Sequence, residues 1–288
     1  MLMSIKIAVL IPAGISAYND MIHRAIEPVI PEDVVVEVFN LPPAEAHECI
    51  QGRVDLTHNG YAAVKKAAWL EQEGFKGIFL CDFDMCGVEA AREVVDIPII
   101  GGFTAAAFTA LALSQRFSII TILDSTIAMQ RDHAYRHGMM ENLVSIHSIG
   151  EEVGGVTGGG GSGHESQKPH TLCFHPPFRL KQSKGNGDSG QTDKERVLQE
   201  VFEKAKIAVN EDGAQSILLG CTGFVDVAAE VSNKLELEFG FYIPVIDTNH
   251  AGFSFLVSLV RMGLRASRKC YRKNTTSFPD PSARCNKY

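Results

Sequence analysis

Strand-length apolar runs alternate with helix-length amphipathic stretches along most of the chain, and the alternation passes through the same order twice. In the first pass, residues 7–11, 34–39, 77–80 and 97–100 read as strands. Residues 21–29, one or two segments within 43–73, 87–94 and 105–113 read as helices. In the second pass the strands are 117–123, 143–149, 216–219 and 242–246, and the helices are 127–140, 194–210, 224–237 and 251–262. Such βαβα order builds a parallel sheet covered by helices, because only a crossover helix returns the chain to start a parallel strand. The expected fold class is therefore α/β, with two pseudo-symmetric lobes, each a parallel sheet flanked by helices, and an active site in the cleft between them. The lobes are expected at 1–113 and 114–250, followed by a closing helix at 251–264 and a tail at 265–288.

The repeat carries chemistry as well as topology. Gly77-Ile-Phe-Leu-Cys81-Asp-Phe-Asp leads to Val88-Glu-Ala-Ala and then to Ile97-Pro-Ile-Ile. Ser216-Ile-Leu-Leu-Gly-Cys221-Thr-Gly leads to Val227-Ala-Ala-Glu and then to Ile243-Pro-Val-Ile. Each half thus places a cysteine where a strand ends, then a Val/Ala helix, then an Ile-Pro strand; this is read as an internal duplication. The halves differ mainly by a Gly-, Ser- and His-rich stretch at about 150–193, read as a flexible surface insertion.

Composition narrows the function classes. With 45% hydrophobic and 21% charged residues in 288, the chain has an ordinary globular balance, and no run approaches the ~18 apolar residues of a spanning helix. A net charge of −7 argues against nucleic acid as the main partner. The charge is uneven: the tail from Arg265 carries +6, which leaves −13 on the rest. A basic tail can attract polyanions or anionic lipid, but a solvated, poorly ordered terminus is the plainer expectation. Seven cysteines is an odd number with no regular spacing, and strand 7–11 begins without a leader-like segment. The expected location is cytoplasmic, with reduced thiols and no membrane partner.

Several motifs fail on inspection. Gly158, Gly160 and Gly163 satisfy G-x-G-x-x-G only because glycines run together there, and no amphipathic helix follows. No nucleotide P-loop is present. His164, His170, Cys173 and His175 lack a zinc spacing, and Cys81 with Cys86 has no second pair. No metal and no cofactor are expected.

Ligands of parallel sheets bind beyond the carboxyl ends of the strands. Cys81 and Cys221 lie at two such ends, where the turns and helices that follow present backbone N–H donors. If the halves pack about a pseudo-twofold, the thiols face each other across one cleft. Opposed acid/base groups of similar pKa suit the inversion of a carbon α to a carbonyl: one removes a proton from one face and the other delivers a proton to the opposite face. An ordinary thiol, with a pKa of about 8.5, is only a few per cent thiolate at neutral pH, so local donors are expected to raise that fraction.

On these residues the sequence resembles the aspartate/glutamate/hydantoin racemase family, closest to its hydantoin branch. The likeness rests on Cys81-Asp-Phe-Asp through Ile97-Pro-Ile-Ile-Gly, Arg116-Phe-Ser-Ile-Ile-Thr121, Glu211 through Gly223, Ile243-Pro-Val-Ile-Asp247, and the last helix to Arg265. It spans about residues 5–150 and 195–268. The resemblance implies a cofactor-independent racemase or epimerase with Cys81 and Cys221 as its acid/base pair. It places Asp82, Phe83, Thr222 and Gly223 beside a small-molecule substrate, and Thr121 at the end of a strand near the substrate's acidic group. The turn after the first strand should contribute too, but reads Ile11-Pro12-Ala13-Gly14-Ile15-Ser16 where the hydantoin branch carries Asn-Pro-Asn-Thr; Ser16 is the partial substitute. Thr222, directly after the second cysteine, leans toward the amino-acid branch. His250 stands where it could tune Cys221 or touch substrate.

The substrate therefore stays open between an amino acid and a hydantoin- or allantoin-like compound. Competing readings are a maleate-isomerase-like or arylmalonate-decarboxylase-like enzyme, and a two-lobed binding protein without catalysis. The small-residue helix 105–113 could pack against a second copy in a homo-oligomer; burial inside a lobe explains it equally well.

Overall fold

The two passes of the sequence become two sheets of identical topology. In the computed structural model, which describes residues 4–150 and 193–274, the first lobe contains β1 (Ile5–Ile11), α1 (Asn19–Ile26), β2 (Val34–Asn40), α2 (Arg53–Gln72), β3 (Gly77–Leu80), α3 (Val88–Arg92), β4 (Ile99–Gly101) and α4 (Gly102–Leu113). The second contains β5 (Phe117–Thr121), α5 (Asp124–Arg136), β6 (Leu143–Ser148), α6 (Asp193–Asn210), β7 (Ser216–Leu219), α7 (Ala228–Phe239) and β8 (Val245–Ile246), after which α8 (Thr248–Arg261) ends the regular structure. All strands pair in parallel, in the orders β2-β1-β3-β4 and β6-β5-β7-β8. Strands covered on both faces must be apolar throughout, which is why β3 and β7 are buried at every position.

Register refines the duplication. Leu10 pairs with Leu80 in the first sheet and Ile120 with Leu219 in the second. The next ladder bond comes from the Cys81 N–H to Leu10 (2.8 Å) in one lobe and from the Gly220 N–H to Ile120 (2.7 Å) in the other. Cys81 is thus equivalent to Gly220, and Cys221 lies one residue further on. The intervening glycine is sterically required: a Cβ there would sit 2.6 Å from Ile119 Cγ2 and 3.0 Å from Gln130 Oε1.

Two helices join the lobes. α4 is buried at Gly102 through Ala107 and at Ala110, as expected of a helix apolar all round. It packs on α8 and on β5, β7 and β8 of the second sheet, so its small residues serve contact within the chain. α8 leaves the second sheet and crosses back onto the first lobe, against α1, β3, β4 and α4. Phe253, Leu256 and Val257 bury there with Phe79 and Cys81. The closing helix is therefore a component of the first lobe's core.

That seat depends on Gly252. A Cβ at this position would lie 2.2 Å from Cε2 of Phe79, a ring with no exposure and no room to retreat. Alanine improves helix propensity by about 1 kcal/mol over glycine, while overpacking a dense core costs about 1–3 kcal/mol or more. Gly252→Ala is expected to lower unfolding free energy by about 2 kcal/mol in a denaturant titration; a neutral or stabilising result would show that α8 does not seat on β3 as described.

The basic tail is not loose over its first ten residues. The Arg268 guanidinium donates to Asp96 (2.6 Å) and to the Arg92 carbonyl (2.7 Å), and the Asn274 N–H donates to the Glu93 carbonyl (2.8 Å). With Lys273 and Arg268 against it, the Asp96 carboxyl is held down to about 2. Residues 265–274 are anchored at these points, although most of them remain exposed. The last fourteen residues lie outside the described part of the chain, as do the glycine run at 158–163 and the group His164, His170, Cys173 and His175. Among the described residues, no helix is long and apolar enough to cross a membrane.

Candidate active site

The carboxyl ends of strands from both sheets converge on one cavity of about 90 Å³. The first lobe supplies the end of β1 and its turn (Ile11, Pro12, Ala13), the Cys81–Asp84 turn after β3, and Cys49 with Ile50 from the long loop after β2. The second lobe supplies Ile122 after β5, Thr126 at the start of α5, and Gly220, Cys221 and Thr222 after β7. Tyr18 completes the wall. The β2 loop reaches the other lobe through the Ser125 hydroxyl, which donates to the Gln51 carbonyl (2.7 Å), and through Arg53, which pairs with Asp132 (2.7 Å).

Both cysteines of the repeat therefore line one space. Cys81 is 2% exposed and donates its thiol proton to Asn249 Oδ1 at 3.4 Å. Asn249 in turn donates to the Thr222 carbonyl at 2.9 Å, so one side chain links the two cysteine turns. Asn249 sits in the first turn of α8, which Asp247 caps by accepting from the N–H groups of Asn249 and His250. The Gly223 N–H donates to Cys221 Sγ at 3.3 Å.

Burial governs the charge state of these thiols. It pushes Cys81 far up, although the Thr222 hydroxyl pulls it back in part; it pushes Cys221 up to about 12, with the Gly223 N–H opposing. The Asp82 carboxylate adds to the rise of both. The expectation that local donors enrich the thiolate is thus corrected. The following helices begin seven residues past each cysteine, at Val88 and Ala228, too late to point at the sulfurs, and the turn donors do not outweigh desolvation. Burial thus favours the neutral form of both thiols.

The remaining sequence-derived site residues separate into two groups. Asp82, Phe83 and Thr222 line the cavity, although the Phe83 ring packs edge-on against Phe103 with centroids 5.7 Å apart. Gly223 acts through its N–H on Cys221. Thr121 is fully buried behind the wall, hydrogen-bonded to Thr126 (2.8 Å) and Gln130 (2.9 Å), and Thr126 faces the cavity in its place. Ser16 is exposed and does not line the cavity; Tyr18, two residues on, does. His250 turns away, its Nε2 2.7 Å from the Ala25 carbonyl in α1, where it ties the closing helix to the first lobe. Sequence reasoning missed Asn249, Asp84, Cys49 and Ile50. An Asp-x-Asn helix start after the last strand was the available signal for Asn249; nothing periodic marks the loop.

Among the described residues, the cavity wall carries no Lys, Arg or His, and of its two acids Asp84 is buried and Asp82 half-buried. Burial and the neighbouring Asp84 raise Asp82 to about 7, and burial raises Asp84 as well, with His133 opposing in both. Among the described residues, no group of three or more His, Cys, Asp or Glu is placed to hold a metal ion.

Two α/β lobes of the same topology, with a cysteine from each lining a shared cavity, form a racemase-type architecture. The family profile described as Asp/Glu/Hydantoin racemase matches residues 7–166 and 179–256, and the chain belongs to that family of isomerases. A hydantoin racemase from Pseudomonas sp. (strain NS671) is 29% identical over 203 residues, covering 70% of this chain and 66% of the relative. One from Paenarthrobacter aurescens is 25% identical over 272 residues, covering 94% and 98%. Among solved structures, allantoin racemase from Klebsiella pneumoniae superposes with a TM-score of 0.75 at 22% identity, covering 96% of this chain and 97% of that one.

Proposed function

We propose that this isomerase inverts the stereocentre of a neutral, hydantoin-type ring, using Cys81 and Cys221 as opposed bases and no cofactor. The observation that carries the reading is the placement of one thiol from each half on a single cavity whose described lining carries no cation. In the reaction, one cysteine as thiolate takes the proton from the ring carbon, and the electron pair delocalises into the adjacent carbonyl. The other cysteine, as thiol, then protonates the opposite face. The negative charge ends on the second sulfur, and the opposite enantiomer is handled by the reverse assignment.

Charge selects the substrate class. A free amino acid brings a carboxylate, which needs a buried cation or a cluster of donors to replace its hydration. This cavity offers instead two acids and apolar walls from Ile11, Pro12, Ile50 and Ile122. A neutral ring suits it: ring N–H groups can donate to Asp82 or Asp84, a ring carbonyl can accept from the Thr222 hydroxyl, and an aliphatic substituent can contact the isoleucines. The hydantoin racemase names of the two relatives agree with this choice.

The test is a screen in D₂O with protein freed of metal and pyridoxal phosphate, against enzyme-free controls. One enantiomer of 5-isopropylhydantoin should lose its circular dichroism as deuterium enters the ring carbon. Aspartate, glutamate and other free amino acids should neither exchange nor invert. Exchange confined to free amino acids would sink the substrate assignment, and exchange with neither class would sink the reading.

A further inference from the structure

A second and larger cavity, about 480 Å³ and open to solvent, lies between α2, α3 and α5. Asp84 lines it as well as the cysteine cavity, so this one carboxyl stands in the wall between the two. Behind it, on the outer side, is His133 of α5, whose Nε2 lies 3.6 Å from Asp84 Oδ1. Both atoms are buried without a hydrogen-bond partner, in residues only 6% and 9% exposed. A buried donor or acceptor left unmade costs about 1–3 kcal/mol, so two facing each other require an explanation.

We infer that Asp84 and His133 form a proton relay that exchanges the Cys221 proton with solvent through the outer cavity. This rests on the two-thiol reading, which creates the need for such a path. Each inversion leaves the enzyme with its thiol and thiolate exchanged. To act again on the same enantiomer, one sulfur must lose a proton and the other must gain one. The cysteine cavity is small, Cys81 is nearly sealed and Cys221 is half-buried, so few waters stand beside the sulfurs to carry protons.

The steps balance. The Cys221 S–H bond breaks, its electron pair stays on sulfur, and the proton bonds to the Asp84 carboxylate. The Asp84 O–H bond then breaks as the proton bonds to the lone pair on His133 Nε2. The imidazolium passes its proton to water in the outer cavity, while the Cys81 thiolate takes one proton from water within the site. The proton count of the enzyme is unchanged. Imidazole suits the outer position because its ring nitrogens can each accept or donate a proton. The charged and titratable groups around the pair are Asp82 and Cys86 on the cysteine turn, Arg53 on α2, Glu89 on α3, and Asp132 and Arg136 on α5.

His133→Ala separates chemistry from this recycling step. With enzyme in excess over one enantiomer of 5-isopropylhydantoin, each molecule turns over at most once, and the decay of circular dichroism should match wild type. With substrate in excess, the steady-state rate should fall at least about tenfold, and millimolar imidazole, entering the vacated outer cavity, should restore at least half of it. His133→Gln, which keeps a polar side chain of similar reach, should show the same split if the alanine variant folds poorly. Equal loss in both regimes without imidazole rescue assigns His133 a structural role and overturns the relay alone, provided that the cysteine variants are inactive. Full activity in a Cys81→Ser or Cys221→Ser variant removes the two-thiol reading and the relay with it.

Discussion

Cys81→Ser and Cys221→Ser should each lower racemisation by about 10³-fold, the scale expected for removing a positioned acid/base group. Serine keeps the shape and a donor but cannot supply an anion of comparable stability at the pH where a thiol can. The informative result is what survives. In Cys221→Ser, the Cys81 thiolate still reaches one face of the ring carbon, so deuterium from solvent should enter one enantiomer with retention of configuration. In Cys81→Ser the other enantiomer should exchange. Mirror-image exchange in the two variants, read by NMR and chiral chromatography, is specific to two opposed bases. A single base assisted by water would leave one variant fully active, and a binding protein would show no exchange in any form. The wild-type fold is the control: Cys81 is buried and donates to Asn249, which a serine hydroxyl can also do, so cooperative unfolding should persist in both variants.

Much of this site was legible in the chain because its logic is local. Parallel strands covered on both faces must be continuously apolar, so 77–80 and 216–219 read as strands, and the residues just beyond them had to lie at the ligand-binding edge. The one-residue offset between Cys81 and Gly220 was not legible, since it is fixed by hydrogen bonds to β1 and β5 and by the squeeze against Ile119. The same holds for His250: an N-terminal position on the last helix suggested proximity to Cys221, but the helix turns that residue toward α1. Its neighbour Asn249 faces the sulfur instead. The amphipathic stripe of α8 announces that one face is buried without saying against which lobe. Pairs such as Asp84 with His133 are nearly 50 residues apart in sequence and meet only because α5 of one lobe packs over the cysteine turn of the other. Desolvation of the thiols belongs to the same category, because a strand-end cysteine in sequence carries no sign of how closely the opposite lobe shuts over it.

That desolvation makes pH the most direct probe of the mechanism. In the proposed mechanism the working base is a thiolate, and burial pushes Cys221 up to about 12 and raises Cys81 as well. Below the pKa, the thiolate fraction grows tenfold per pH unit, so kcat/KM should climb with a slope near one from about pH 7 to 10, a rise of about 10³-fold. An ordinary thiol would level off soon after about 8.5. Asp82 ought to displace the curve: its anion disfavours both thiolates, so Asp82→Asn should move the profile to lower pH without changing its slope. Stability sets the upper limit of the measurement. In the unfolded chain the thiols ionise from about 8.5 upward while the folded ones stay protonated, so the unfolded state binds fewer protons there. The stability held by the two neutral thiols is full below about pH 8.5 and drains as pH rises toward the folded values, which a melting series over the same buffers will register. A wild-type profile that flattens by pH 9, with the melting temperature still high, would mean that substrate or solvent reaches the sulfurs in a far more polar setting than their burial here provides. In that case the two-thiol chemistry would have to operate from an open form of the cleft.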